Sequence, residues 1–261
     1  MVTNPDQHRG AVDLYWIPLG AGAHVVRVSG KIFEAISAFL QRRRRCHLYH
    51  SALEIRVPEG RFVIEQAPIP DLHGANRGVV AEGPVGTRWL GRFRLFRYEI
   101  RRWRQGQIPD IRNAVASPVR LSEDLTLARR ILDVLPSLPI PVWGRNELDA
   151  GDMWNSNSVI SWVLAASGAD VTSLQPPRGG RAPGWGAGLV VAAREREQRH
   201  ASRATISSTR AWKTRQRRAL EVEQAPRDWR RQLRRGDLTS RPVRAITVPV
   251  AAANDGHSGC S

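Results

Sequence analysis

Two short stretches hold the residue types that acyl chemistry needs. Asn155-Ser156-Asn157-Ser158 follows Gly151-Asp152-Met153-Trp154 and breaks into the apolar run Val159, Ile160, Trp162, Val163, Leu164. Asn and Ser side chains accept hydrogen bonds from the unpaired N–H groups of a first helical turn, so the spacing predicts a helix from this tip to about Ser167, stopped by Gly168. The free N–H groups and partial positive charge of such a start can hold a developing oxyanion. His50 lies earlier, in the strand-like segment from Cys46 to Val57. Strand side chains alternate, so His47, Tyr49, Ser51, Leu53, Ile55 and Val57 share the more apolar face, while His50, Ala52, Glu54 and Arg56 share the other. Small Ala52 leaves room for a helix end to approach the His50 imidazole. Hydroxyl, base and orienting group then follow triad logic: Ser156 as nucleophile, His50 as base, and backbone N–H groups beside Asn155, Ser156 and Asn157 as oxyanion donors. Glu65, on the next strand, is the third group, or Gln66 if a bulge exchanges their faces. The bland alternative is a helix cap without chemistry, which contributes about 1 kcal/mol. His47 falls on the opposite face and is structural; His73, in a loop, has no assigned role.

The elements that must position these residues are legible from periodicity. Ala11 to Leu19 forms a strand closed by the turn Gly20-Ala21-Gly22, and Val25 to Leu40 has helical apolar spacing that ends at Arg42-Arg43-Arg44-Arg45. The segment from Cys46, the turn Pro58-Glu59-Gly60 and Arg61 to Ala67 make a hairpin. Asp71 to Gly78 is a loop. Trp89 to Arg104 has the aromatic content of a long strand, with arginines that line a basic surface. Ser122-Glu123-Asp124 caps a helix through Leu135, which Pro136, Pro139 and Pro141 end. A loop from Pro176 to Gly184 leads to Trp185 to Ala193, a last strand. The fold class is therefore α+β, an antiparallel sheet packed against a few helices.

The chain has 261 residues and a formal charge of +16, and of its forty basic residues only Lys31 and Lys213 are lysines. A codon-biased genome accounts for that, as does an anionic partner. Two cysteines, Cys46 and Cys260, exclude a disulfide framework and a cysteine zinc site. No metal or cofactor is implied, since neither a ligand cluster nor a Gly-rich phosphate loop is present. The polar start lacks a signal-peptide pattern and no run of about 18 apolar residues suggests a membrane span, so a soluble cytoplasmic protein is expected. Residues 194–261 hold 16 Lys and Arg against 7 Asp and Glu with few apolar positions. They are expected to be a disordered basic tail, transiently helical at most around Trp212 to Glu223. The organisation is then a leader at 1–10, a domain at 11–193 and a tail at 194–261.

His50-Ser51-Ala52-Leu53-Glu54-Ile55 resembles the His-x-Gly-hydrophobic strand of NlpC-like papain-fold proteins. Asn155-Ser156-Asn157-Ser158 with Val159 and Trp162 resembles the Asn-Cys-Asn helix start of their circularly permuted branch, which includes lecithin:retinol acyltransferase-like proteins. The order, His strand before nucleophile helix, is that of the permuted branch, and bacterial relatives carrying Ser at the Cys position are similar at the triplet. The resemblance covers residues 11–193 and implies a permuted papain-like fold. It implies amide or ester hydrolysis or acyl transfer on a small molecule or peptide. Position 156 departs from the pattern: a serine hydroxyl is too weakly acidic to ionise against an imidazolium, so His50 would have to remove its proton during attack. Three readings stay open: a serine-variant enzyme, a catalytically degenerate relative, or a non-catalytic module that binds nucleic acid or an acidic protein through its Arg-rich surface and tail.

Overall fold

The computed structural model describes residues 10–19, 46–69, 77–108 and 110–224. The helix expected at 25–40, the arginine block 42–45, the Gly20–Gly22 turn, His73 and the end of the tail lie outside them. The described strands are β1 Ala11–Pro18, β2 His47–Val57, β3 Gly60–Pro68, β4 Val79–Pro84, β5 Arg97–Arg104, β6 Val119–Ser122 and the two-residue β7 Gly180–Arg181. The helices are α1 Leu125–Val134, α2 Ser156–Ser167 and α3 Trp185–Gln224. The strands form one sheet in the order β4-β5-β3-β2-β1-β6, antiparallel throughout, with β7 added in parallel to the start of β2. This is the α+β architecture expected from the periodicity.

Alternation decides what each face of the sheet meets. Val12, Leu14, Leu53, Ile55, Ile64 and Ile100 point to one side and bury with Ala128 and Ile131 of α1 and Val159, Ile160 and Val163 of α2. Tyr15, Ile17, Ala52 and Val63 point to the other and bury with Ile108. The hairpin closes with Val57 opposite Gly60 around Pro58-Glu59, Gly60 taking φ +136°, a value that L side chains rarely adopt. At α1 the Asp124 carboxylate accepts from Thr126 N, and α2 ends at left-handed Gly168, as the caps predicted.

Two expected strands are corrected. Only Arg97–Arg104 of the Trp89 to Arg104 segment is a strand; Leu90–Arg92 and Arg94–Phe96 are 3-10 turns. Neighbouring β4 ends at Pro84, so residues 89–96 have no strand to pair with among the described residues, and local bonds such as Phe93 N to Leu90 O and Phe96 N to Phe93 O form instead. Trp185 to Ala193 is the beginning of α3, not a strand. Its buried residues Ala187, Gly188, Val191 and Ala192 recur at helical spacing, which the unbroken apolar run Leu189 to Ala193 conceals. The segment expected to be disordered from 194 continues this helix to Gln224. The chain divides into two units, 1–202 and 203–261, whereas composition changes near 193.

Candidate functional site

The amino end of α2 is where sequence and structure converge. Asn155 is the N-cap, and its Oδ1 accepts from Asn157 N at 2.9 Å and Ser158 N at 3.4 Å, while Asn155 N donates to Ser158 Oγ at 3.1 Å. This reciprocal capping box occupies the N–H groups of Asn155, Asn157 and Ser158. The same tip is a junction. Asn157 Nδ2 donates to Tyr49 O at 3.0 Å and to Pro183 O at 2.9 Å, and its Oδ1 accepts from Ser51 Oγ at 2.9 Å. Asn155 Nδ2 also donates to Pro183 O, at 2.9 Å, and Ser158 Oγ bonds Gly184 O at 2.8 Å and Met153 O at 3.1 Å. Asp152 holds the other side of the crossing segment, Oδ2 accepting from Gly184 N at 2.7 Å. Gly184, at φ +82°, lies so close that a Cβ there would stand 2.6 Å from both Asn155 Oδ1 and Ser158 Oγ. One turn on, Ser161 Oγ donates to Trp185 O at 2.7 Å, and a Cβ on Gly188 would collide with Ser158 O and Ser161 Oγ. Small residues therefore let the start of α3 lie directly on α2.

Ser156 is the first residue of this helix and 7% exposed. Its hydroxyl takes no part in the side-chain hydrogen bonds of the described residues. His50 is not brought to it. Ser51 meets Asn157 on the helix-bearing face, and His50, its neighbour, pairs with Ile17 of the opposite face. Burial lowers the His50 imidazole from 6.5 to about 4, with Asp110 opposing. It is thus a neutral strand histidine on the far side of the sheet. The expectation that the gap at Ala52 admits a helix end is replaced: α2 docks on the more apolar face, as burial of its own apolar residues requires, and the side chain it meets there is Ser51. That signal was in the alternation of β2. His47 is exposed at the start of β2, opposite Gly180.

Glu65 is on the same side as His50. It pairs across the sheet with Arg101, whose Nη1 donates to Glu65 Oε1 at 2.7 Å, both side chains being buried. Burial raises the Glu65 pKa, against the attraction of Arg101. Arg101 also bonds Glu99, which Arg77 clamps from outside at 2.7 Å, and its guanidinium lies 6.0 Å from the Trp103 ring. Burial works against the ionised Glu99, yet the hydrogen bonds from Arg77 and Arg101 hold its carboxyl below the usual range. Glu65 belongs to an ion-pair network, away from Ser156. Gln66 takes the helix-side position, opposite Ile100 of the main core, and both its amide atoms are buried without a partner among the described residues. The β2–β3 register runs from Leu53 opposite Ile64 to Val57 opposite Gly60 without a bulge, so simple alternation separates the two side chains. Sequence reasoning missed Ser51, Pro183 and Gly184 as partners of the triplet. The last two contribute a carbonyl each, which leaves no sequence signature.

The chain matches no protein-family model, no curated protein and no solved structure. Among the described residues no group of three His, Cys, Asp or Glu side chains is placed to hold a metal ion, and no helix is long and apolar enough to cross a membrane.

Proposed function

We propose that this chain is a non-catalytic binding module, a degenerate relative of NlpC-like papain-fold domains, that engages an anionic polymer of the nucleic-acid type. The observation that carries the reading is the closed amino end of α2: Pro183 and Gly184 cross it, its cap occupies three backbone N–H groups, and the imidazole named as base sits on the opposite face of the sheet. An acyl-transfer site needs a base within hydrogen-bond reach and open oxyanion donors.

The partner follows from α3. Within residues 203–217, Arg203, Arg210, Lys213 and Arg217 recur at spacings of seven, three and four, and the segment holds no acid. These side chains fall on one exposed face, with Thr205, Thr209 and Thr214 beside them. Over 14 residues at about 1.5 Å each the stripe spans about 21 Å, enough to follow several successive phosphates.

Two measurements test the reading. Serine-directed acylating probes leave the folded protein unlabelled; labelling at Ser156 that His50→Ala abolishes would overturn it. Binding to duplex or single-stranded DNA weakens with salt at a log–log slope of about −3 to −4, for roughly four neutralised phosphates. A triple variant R210Q/K213Q/R217Q in the full chain reduces that slope by about three contacts. An unchanged slope removes the stripe as the reader.

A further inference from the structure

The connection between β4 and β5 presents an apolar surface that the fold does not bury. Trp89 is 60% exposed, Phe93 52%, Leu95 85% and Phe96 37%. Soluble surfaces scatter such residues singly, and a contiguous set marks an interaction site. Fraying does not explain the exposure, because the arch is held in shape. Thr87 Oγ1 accepts from Leu90 N, the 3-10 turns carry their own i to i+3 bonds, Val85 N donates to Phe96 O at 2.8 Å, and Gly91 seats on Pro84. Arg145 Nε donates to Gly86 O at 2.7 Å, and the Arg88 guanidinium is fixed by two bonds of 3.0 Å to Glu147. The segment 86–97 contains Arg88, Arg92, Arg94 and Arg97 and no acid of its own, while Glu147 pairs with Arg88 and Glu82 with Arg97, at 2.7 Å.

We infer that this arch docks on an anionic lipid bilayer, with Trp89, Phe93 and Leu95 entering the headgroup boundary and Arg92 beside them meeting lipid phosphates. Charge works against a second copy of the chain, since each copy carries a formal charge of +16. Shape decides against nucleic acid. Leu95, the most exposed of the set, has no face on which a base could stack, and the Trp89 and Phe93 rings pack edge to face on each other at 5.8 Å and 73°, so they form no row of parallel platforms. Hydrocarbon beside anionic headgroups satisfies both the aliphatic tip and Arg92, and an indole suits the interface between them. The attachment is peripheral and independent of the stripe on α3.

The test uses the full chain in flotation with vesicles of phosphatidylcholine alone or with about a third phosphatidylglycerol. The protein floats with the anionic vesicles, and brominated lipids quench a tryptophan signal that Trp89→Phe removes. Leu95→Asp, at a position exposed enough to leave folding intact, lowers partitioning by at least about tenfold, the effect of keeping one leucine out of hydrocarbon. R210Q/K213Q/R217Q keeps the bromolipid quenching while losing DNA binding, so the two surfaces fail or stand separately. Equal flotation of L95D and wild type, absence of flotation, or a dimer that L95D dissociates without any lipid binding would each overturn the inference.

Discussion

If the Asn-Ser-Asn-Ser tip is a junction and not a nucleophile, Asn157 matters far more to stability than Ser156. Asn157 is 3% exposed and its amide makes three hydrogen bonds, to Ser51 Oγ, Tyr49 O and Pro183 O. Asn157→Ala leaves the Ser51 hydroxyl and the Tyr49 carbonyl without that partner, while Pro183 O keeps Asn155 Nδ2. Two buried polar groups left unpaired cost about 1–3 kcal/mol each, so the variant loses about 4 kcal/mol, a large part of an ordinary domain's 5–15 kcal/mol. Ser156→Ala removes a hydroxyl that makes none of these bonds and changes stability by less than about 1 kcal/mol. Asn157→Asp keeps the acceptor for Ser51 but turns a carboxylate toward two carbonyls, and is at least as damaging as alanine. Urea unfolding followed by tryptophan fluorescence measures all three at constant m. An Asn157→Ala protein within about 1 kcal/mol of wild type, or a Ser156→Ala protein equally damaged, refutes the junction.

The remaining predictions concern the helix contact and the far face of the sheet. Gly188→Ala gains helix propensity but drives a methyl into Ser158 O and Ser161 Oγ, so it destabilises by about 2 kcal/mol in the same unfolding assay, whereas Gly186→Ala, with open space around it, does not. Lowering pH destabilises the protein through His50. Its folded pKa of about 4 lies below the unfolded 6.5, so the unfolded chain takes the proton first. The His50 contribution is intact above pH 6.5, declines as pH falls through that window, and by pH 4 the loss reaches about 3 kcal/mol. His50→Gln flattens this slope. Glu65, whose pKa is raised, acts in the opposite sense, so the decisive quantity is the difference between wild type and variant, and an identical slope in both contradicts the placement of His50.

Much of the fold was written locally. The β2–β3 hairpin, the Asp124 and Asn155 caps and the Gly168 stop each depend on residues within a few positions of one another, so the short-range code placed them. Failures came where a non-local partner decides. Trp89 to Phe96 has strand composition, but β4 ends too early to pair with it; Trp185 to Ala193 has β-branched content, but its small residues fit against Ser158 and Ser161.

The candidate site divides the same way. The Asn155 to Ser158 tip as a helix start, and the alternation that puts His50 and Ser51 on opposite faces, followed from the sequence alone, because both are set by the period of the backbone. Which face of β2 receives α2 was a tertiary decision. The helix follows its buried apolar residues onto the face of Leu53 and Ile55, and so meets Ser51 and leaves His50 behind the sheet. Tertiary structure alone also brought the Pro183 and Gly184 carbonyls over the helix start. Backbone carbonyls are common to every residue, and only the path of the chain determines which of them arrives.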